Sequence, residues 1–285
     1  MTHPPHIQKH TIVLPFQAGS FKRRLTVRVM TLGRPDTVFF AGFGNEAPAL
    51  RHTVRLLEAK GVTDIAVVCA MPYWEAQDSI DSMIALGVAG NIAVLEYLQK
   101  LTRRKRLHVI SESQAAAALV HAAVSRPELF TGRSALLRPL GLVQIRKRQF
   151  VGRMTRGALQ RDQLLDWRVL SVGQRAAWRT LQTVARRGVP LTVALAWDIR
   201  EHLGQVHQAM GKRLCIFAAA QDLLYPPAAI RVALSELKHP PDLKVIAGSH
   251  SSPATHAGVR QIEWVLAWCR NSRSPAKIAL EESPN

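Results

Sequence analysis

A serine stands in the short connection between a predicted strand and a predicted helix. Val109 and Ile110 are β-branched and apolar, which is typical of the end of a buried strand. The Ala-rich run that begins at Gln114 predicts a helix. So short a turn has room only for small side chains around Ser113. The pattern therefore predicts that Ser113 lies at the carboxyl edge of a sheet and at a helix N-terminus, whose amide groups can stabilise an anion.

The same stretch resembles the nucleophile elbow of the α/β-hydrolase family, Gly-Xaa-Ser-Xaa-Gly. Ser111 stands in place of the first glycine and Ala115 in place of the last, and both residues are small. The resemblance implies that Ser113 is a nucleophile that forms an acyl-enzyme. A structural alternative is a capping box, in which Ser111 and Gln114 satisfy the helix N-terminus and Ser113 is an ordinary first-turn residue.

A serine nucleophile needs a base that takes its proton and a carboxylate that orients this base. Candidates for both follow later predicted strands. The strand at 214–218 leads into Asp222, and the strand at 244–247 leads into His250. Their separation of 28 positions is enough for one helix, one strand and two turns. The family has its acid and histidine after the serine in this order, so the resemblance implies that Asp222 orients His250.

Each of these residues also has a plain structural interpretation. Asp222 could cap a helix ahead of Pro226, and His250 could simply hydrogen-bond within its loop. His256 is the alternative base, although it falls where the last helix is predicted to begin. The order of Ser113, Asp222 and His250 on successive strand ends favours the catalytic interpretation.

A glycine loop, Gly42-Phe43-Gly44, follows the predicted strand at 37–41. The loop is similar to the oxyanion loop of α/β-hydrolases. The resemblance implies that the backbone N–H groups of Phe43 and Gln114 bind the developing oxyanion.

The same loop has a competing interpretation as a dinucleotide fingerprint, since Gly42-x-Gly44-x-x-Ala47 follows a strand. That fingerprint expects an acidic residue at the end of the following strand, and this strand ends in Cys69-Ala70. We therefore expect no cofactor. The sequence also has no His-Glu-x-x-His motif and no paired cysteines, so we expect no metal site.

The order of the predicted elements favours an α/β fold. Two β-rich runs, 11–16 and 25–31, predict an antiparallel pair at the start. Strands and helices then alternate, which favours a mostly parallel sheet covered by helices on both faces, as in the α/β-hydrolase fold. The helical stretch that ends near Leu98 is predicted to be interrupted near Gly87 and Gly90.

The alternation stops at Pro139 and resumes after Gly211. We expect residues 1–138 and 212–285 to form one core, and residues 139–211 to form a helical cap inserted at the carboxyl edge of the sheet.

Much of the net charge of +18 lies in and just after this predicted cap, because the stretch from Pro139 to Arg213 has fourteen basic side chains and only four acidic ones. Such a segment attracts anions, so a phosphorylated carrier or another anionic substrate is one expectation and a solvated surface is the other. No aromatic-interleaved basic motif accompanies the charge, so nucleic acid is not an expected partner.

Other features bear on location. No window of about 18 uncharged apolar residues predicts a membrane span. The N-terminus lacks the apolar core of a signal peptide. Three cysteines, Cys69, Cys215 and Cys269, fall in apolar runs, which is typical of free thiols in a reducing cytoplasm.

The sequence thus predicts a cytoplasmic serine hydrolase that acts on a small ester or thioester. One alternative is an acyltransferase or thioesterase whose cap docks an anionic carrier. Another is a non-catalytic protein of the same fold that is retained for binding. No oligomeric state is predicted.

Overall fold

One eight-stranded sheet forms the centre of the computed structural model, which describes residues 7–18, 21–42, 47–69, 80–145, 149, 152–153, 156, 197–250 and 253–271. The strand order is β1-β2-β4-β3-β5-β6-β7-β8. Strand β2 is antiparallel to both β1 and β4, and all the other neighbours are parallel. The mostly parallel sheet and the antiparallel opening pair are therefore confirmed. The strands are β1 (Gln8–Ala18), β2 (Phe21–Leu32), β3 (Thr37–Phe40), β4 (Ile65–Val68), β5 (His108–Glu112), β6 (Ser134–Leu137), β7 (Leu214–Ala219) and β8 (Asp242–Ile246).

Helices cover both faces of this sheet, as predicted. Apolar side chains of α1 and α6 share one buried cluster with the sheet, and those of α2 to α5 share the other. Every residue of β3, β4, β6 and β7 is buried, which explains their continuous apolar sequences. Among the described residues the α-helices are α1 (Ala47–Ala59), α2 (Ile80–Thr102), α3 (Gln114–Ser125), α4 (Arg200–Met210), α5 (Pro227–Ser235) and α6 (His256–Cys269).

The helix α2 differs from its prediction because it runs without interruption through Gly87 and Gly90. Both glycines are buried within it. Each costs about 1 kcal/mol relative to alanine in an isolated helix. Packing of Val94, Leu95 and Leu98 against the sheet outweighs this local preference.

Much of the predicted cap, including residues 157–196, lies outside the described residues, but the two ends of this segment are described. The N–H of Ile199 donates to the carbonyl of Gly141 at 3.1 Å, so the chain leaves and re-enters the core at one place. Gly141 has a φ of 88°, and a Cβ there would come within 3.0 Å of the Trp197 carbonyl oxygen. After this re-entry, α4 contributes Leu203 to the core.

Two further expectations bear on the described residues. No helix in this part of the chain has the length and apolar character needed to cross a membrane. All three cysteines are buried free thiols, as predicted. Burial raises the pKa of the Cys215 thiol to about 12, so this thiol is protonated at neutral pH.

Candidate active site

Ser113 occupies a strained turn between β5 and α3. Its φ is 51° and its ψ is −118°, a backbone conformation that L-residues rarely adopt and that costs on the order of 1–3 kcal/mol. Its N–H donates to the carbonyl of Leu137 on the neighbouring strand β6 at 3.0 Å, which fixes the turn. Its side chain forms no capping bond to α3, and Ser111 lies within β5 rather than at a cap. The alternative of a capping box is therefore wrong.

The turn is closely approached by the start of the glycine loop after β3. A Cβ added to Gly42 would lie 3.0 Å from the Ser113 Cβ and 3.2 Å from the Glu112 carbonyl oxygen. A side chain at this position would therefore force its neighbours to shift by a few tenths of an ångström. Phe43, the first predicted oxyanion donor, lies outside the described residues. Gln114, the second, is the first residue of α3, where a backbone N–H has no carbonyl partner within the helix.

Asp222 and His250 lie beside each other at the carboxyl ends of β7 and β8. Nδ1 of His250 is 2.8 Å from Oδ2 of Asp222. The other carboxylate oxygen, Oδ1, accepts the N–H groups of Leu224 and Tyr225 at 2.8 and 2.9 Å. Pro226, not Asp222, is the N-cap of α5, so the interpretation of Asp222 as a helix cap is wrong. The carboxylate is held by its own turn and directed at the histidine.

The electrostatics of Asp222 favour its charged form. Burial raises the pKa of this carboxyl, but the interaction with His250, the Tyr225 N–H and the positive charge of Arg138 together outweigh burial. The net effect lowers the pKa of Asp222 below its usual value. A carboxylate at neutral pH therefore faces the imidazole.

The loop that carries His250 is fixed from several sides. The amide Nε2 of Gln261 donates to the carbonyl oxygens of Ala247 and Ser249 at 3.0 and 3.1 Å. Gly248 has a φ of 95°, and a Cβ there would come within 2.8 Å of the same Gln261 nitrogen. This loop is therefore held in one conformation on both sides of Gly248.

His256, the alternative base, is the first residue of α6 and is exposed, as its predicted position indicated. Both oxygens of Asp222 are already engaged by His250 and by the acid loop. The structure therefore joins the predicted acid to His250 and leaves His256 on the surface of the helix N-terminus.

An ion pair at this edge of the sheet was not predicted from the sequence. Nη2 of Arg138, directly after β6, donates to Oε1 of Glu112, directly before Ser113. Both side chains are buried, with exposures of 1% and 4%. Oε2 of Glu112 accepts the N–H of Gly42 at 3.2 Å, and Nη1 of Arg138 lies 3.4 Å from the carbonyl oxygen of Ser249. The pair thus includes the residue that precedes Ser113 and contacts the residue that precedes His250.

The contact between Glu112 and Gly42 also bears on the dinucleotide alternative. A pyrophosphate would require the glycine-loop N–H groups as donors, whereas a carboxylate accepts the first of them. At Gly42, the described end of this loop, the contact therefore does not favour a dinucleotide. Among the described residues, no group of three or more His, Cys, Asp or Glu side chains could hold a metal ion.

Comparisons with known proteins agree with this architecture. A serine hydrolase from Cycloclasticus zankles has a TM-score of 0.55 and 13% identity, over 93% of this chain and 96% of its own. A thermophilic esterase from Thermogutta terrifontis has a TM-score of 0.55 and 11% identity, over 92% and 98% of the two chains. The 2-hydroxy-6-oxo-6-phenylhexa-2,4-dienoate hydrolase of Rhodococcus sp. strain RHA1 has a TM-score of 0.52 and 13% identity, over 94% and 100%. No protein-family model and no curated protein matches the sequence.

Proposed function

From the α/β-hydrolase fold of this chain, we propose that it is a serine hydrolase that cleaves an ester or thioester through an acyl-enzyme on Ser113. The observation that carries the proposal is the hydrogen bond between Asp222 and His250. It lies at the same sheet edge as Ser113, whose strained backbone is typical of an exposed nucleophile. The fold alone does not carry the activity, because one fold hosts many functions.

In the proposed acylation, His250 takes the proton of Ser113 as the hydroxyl oxygen attacks the acyl carbonyl. Asp222 accepts the Nδ1–H of His250, which leaves Nε2 with its lone pair as the base and stabilises the imidazolium that forms. The imidazolium then protonates the leaving alcohol or thiol. In deacylation, His250 removes a proton from water, the hydroxide attacks the acyl-enzyme, and the proton returns to Ser113.

The developing oxyanion is stabilised by backbone N–H groups of Gln114 and Phe43. Gln114 begins α3, and the helix N-terminus favours negative charge. Such preorganised donors reduce the barrier most when water is excluded.

The part of the basic segment 139–211 that precedes α4 is proposed to cover this site as a cap, since α4 itself packs in the core. Nη1 of Arg153 donates to the carbonyl oxygen of Leu224 at 3.2 Å, so one residue of the segment touches the loop of Asp222. The contact between Ile199 and Gly141 closes the segment at its base. A positively charged cap attracts anionic substrates, which extends the proposal to carrier-bound thioesters.

The proposal is tested with p-nitrophenyl esters of graded chain length and with CoA thioesters of the same acyl groups. Hydrolysis by the wild-type protein, and its loss in Ser113→Ala, supports a serine hydrolase. A higher kcat/KM for the CoA thioester than for the neutral ester supports an anionic substrate. Acyl transfer to an added alcohol, in preference to water, would instead identify an acyltransferase. No turnover of any member of the panel contradicts the proposal.

A further inference from the structure

The buried ion pair of Glu112 and Arg138 has no part in the triad, yet it contacts the glycine loop and the histidine loop and directly precedes Ser113. We propose that Arg138 is a positioning residue, which compensates the charge of Glu112 beside the oxyanion site and joins the nucleophile elbow to the histidine loop. The proposal rests on the serine hydrolase function proposed above and deepens it.

The two side chains of the pair come from the ends of the neighbouring strands β5 and β6. Glu112 is the last residue of β5, and Arg138 follows β6 with a φ of 50°. Strand pairing places Glu112 opposite Leu137, so Arg138 lies one residue farther along the carboxyl edge of the sheet than Glu112. The backbone N–H of Arg138 donates to the carbonyl of Phe217 on β7 at 2.7 Å, which anchors the residue while its side chain spans the sheet edge.

The contacts of the pair reach three loops. Glu112 receives the N–H of Gly42 from the glycine loop and directly precedes Ser113. Arg138 reaches the carbonyl of Ser249, directly before His250. The pair therefore links the glycine loop, the nucleophile elbow and the histidine loop.

The charge argument is specific to the reaction. Glu112 Oε2 lies 3.6 Å from the Cβ position of Gly42, beside the proposed oxyanion site. An uncompensated carboxylate there would oppose a second negative charge, and the low dielectric of a buried site makes that repulsion strong. The guanidinium of Arg138 offsets it. A buried ion pair is weak evidence for stability in itself, so its place among the catalytic loops is the relevant observation.

The test compares two ligands of one chain length. Butylboronic acid forms a tetrahedral, negatively charged adduct with a serine nucleophile, whereas pentanamide binds as a neutral molecule. Affinities are measured by calorimetry at one pH, and ¹¹B NMR reports the tetrahedral adduct. Loss of that adduct in Ser113→Ala identifies the site.

For Arg138→Met we expect boronic acid binding to weaken at least about tenfold, because the Glu112 charge becomes uncompensated. Pentanamide binding should stay within about threefold. In Glu112→Gln/Arg138→Met, with no charge at either position, boronic acid affinity should recover most of the loss. The control is Arg213→Met, which removes an arginine that donates to Phe130 and Thr131 away from the site and should bind as the wild type does.

If Arg138→Met does not fold, the single variant Glu112→Gln still tests the proposal. Glu112→Gln keeps an oxygen for the Gly42 N–H and removes the negative charge, so it should bind boronic acid at least as tightly as the wild type. Weaker binding of boronic acid by Glu112→Gln, or equal effects of Arg138→Met on both ligands, would overturn the proposal for Arg138. Absence of the tetrahedral adduct in the wild type would instead overturn the serine hydrolase function.

Discussion

Nδ1 of His250 lies 2.8 Å from Oδ2 of Asp222, and the aspartate side chain is fully buried whereas that of the histidine is 21% exposed. The imidazole is therefore fixed by a carboxylate at Nδ1, while part of the ring remains accessible to solvent. With the proton on Nδ1, the Nε2 atom is an acceptor. In the proposed mechanism this arrangement orients a base, and the Asp222 turn holds the carboxylate because the N–H groups of Leu224 and Tyr225 bind its second oxygen.

Asp222→Asn should reduce kcat by about ten-thousandfold while KM changes little, because an amide NH₂ facing Nδ1 stabilises the wrong tautomer. The measurement is steady-state hydrolysis of the best ester in the panel. Asp242→Asn, an exposed substitution at the start of β8, is the control and should retain wild-type kcat. Equal activity of the two variants would show that Asp222 does not orient the base.

His250→Ala should lose activity at least about a thousandfold, in line with a triad member that acts as part of a unit. His256→Ala should lose far less, because His256 is exposed at the start of α6 and the Asp222 oxygens are engaged elsewhere. Both variants are compared by kcat/KM after circular dichroism has established that they are folded. The opposite ranking would assign the base to His256.

Gly42→Ala should reduce kcat by about tenfold, because the added Cβ forces a shift of a few tenths of an ångström beside Ser113 and misaligns the attack. The added methyl group would meet Ser113 Cβ at 3.0 Å and the Glu112 backbone at 3.2 Å. The matched control is Gly204→Ala in α4, where a Cβ meets nothing within 4 Å. This variant should keep its activity and gain up to about 1 kcal/mol of stability. Full activity in Gly42→Ala would contradict the close contact between Gly42 and Ser113.

Acid should destabilise the protein in part through His121. Burial, and then the nearby His202, lower the pKa of His121 below 6.5 in the folded chain. Between that lowered value and about 6.5 the unfolded state binds more protons, so the free energy of unfolding falls as pH falls through this window. Urea unfolding at several pH values between about 8 and about 5, a range that spans the titration of histidine, measures this decrease in the free energy of unfolding.

His121→Asn should reduce this pH dependence, and substitution of the exposed His239 should leave it unchanged. Part of the dependence should persist in His121→Asn, because burial also lowers the pKa of His10 and His108. An unchanged slope in His121→Asn would contradict the assignment.

Local sequence was sufficient to predict the elements around the site. Apolar runs followed at once by Ser113, Asp222 and His250 indicated strand ends, because a buried parallel strand has a continuous apolar sequence and its loop does not. The parallel sheet then brings those loops to one edge. The start of α6 at His256 was also predicted from the local sequence.

The ion pair of Glu112 and Arg138 could not be predicted in this way. Its partners are 26 residues apart, and their contact depends on the pairing of β5 with β6. The signals in the sequence were an arginine directly after the predicted strand 134–137 and a glutamate directly before Ser113. The continuity of α2 was likewise decided by packing of the whole helix, which local glycine preferences do not report.

The central claim is that Ser113 is an activated nucleophile, and labelling with a fluorophosphonate tests it most directly. The wild-type protein is incubated with the reagent, and intact mass and peptide mapping locate the adduct. We predict one phosphonyl group on Ser113, no adduct in Ser113→Ala, and slow labelling in His250→Ala because the base is absent. The absence of an adduct in the folded wild-type protein, or an adduct at another residue, would contradict the account.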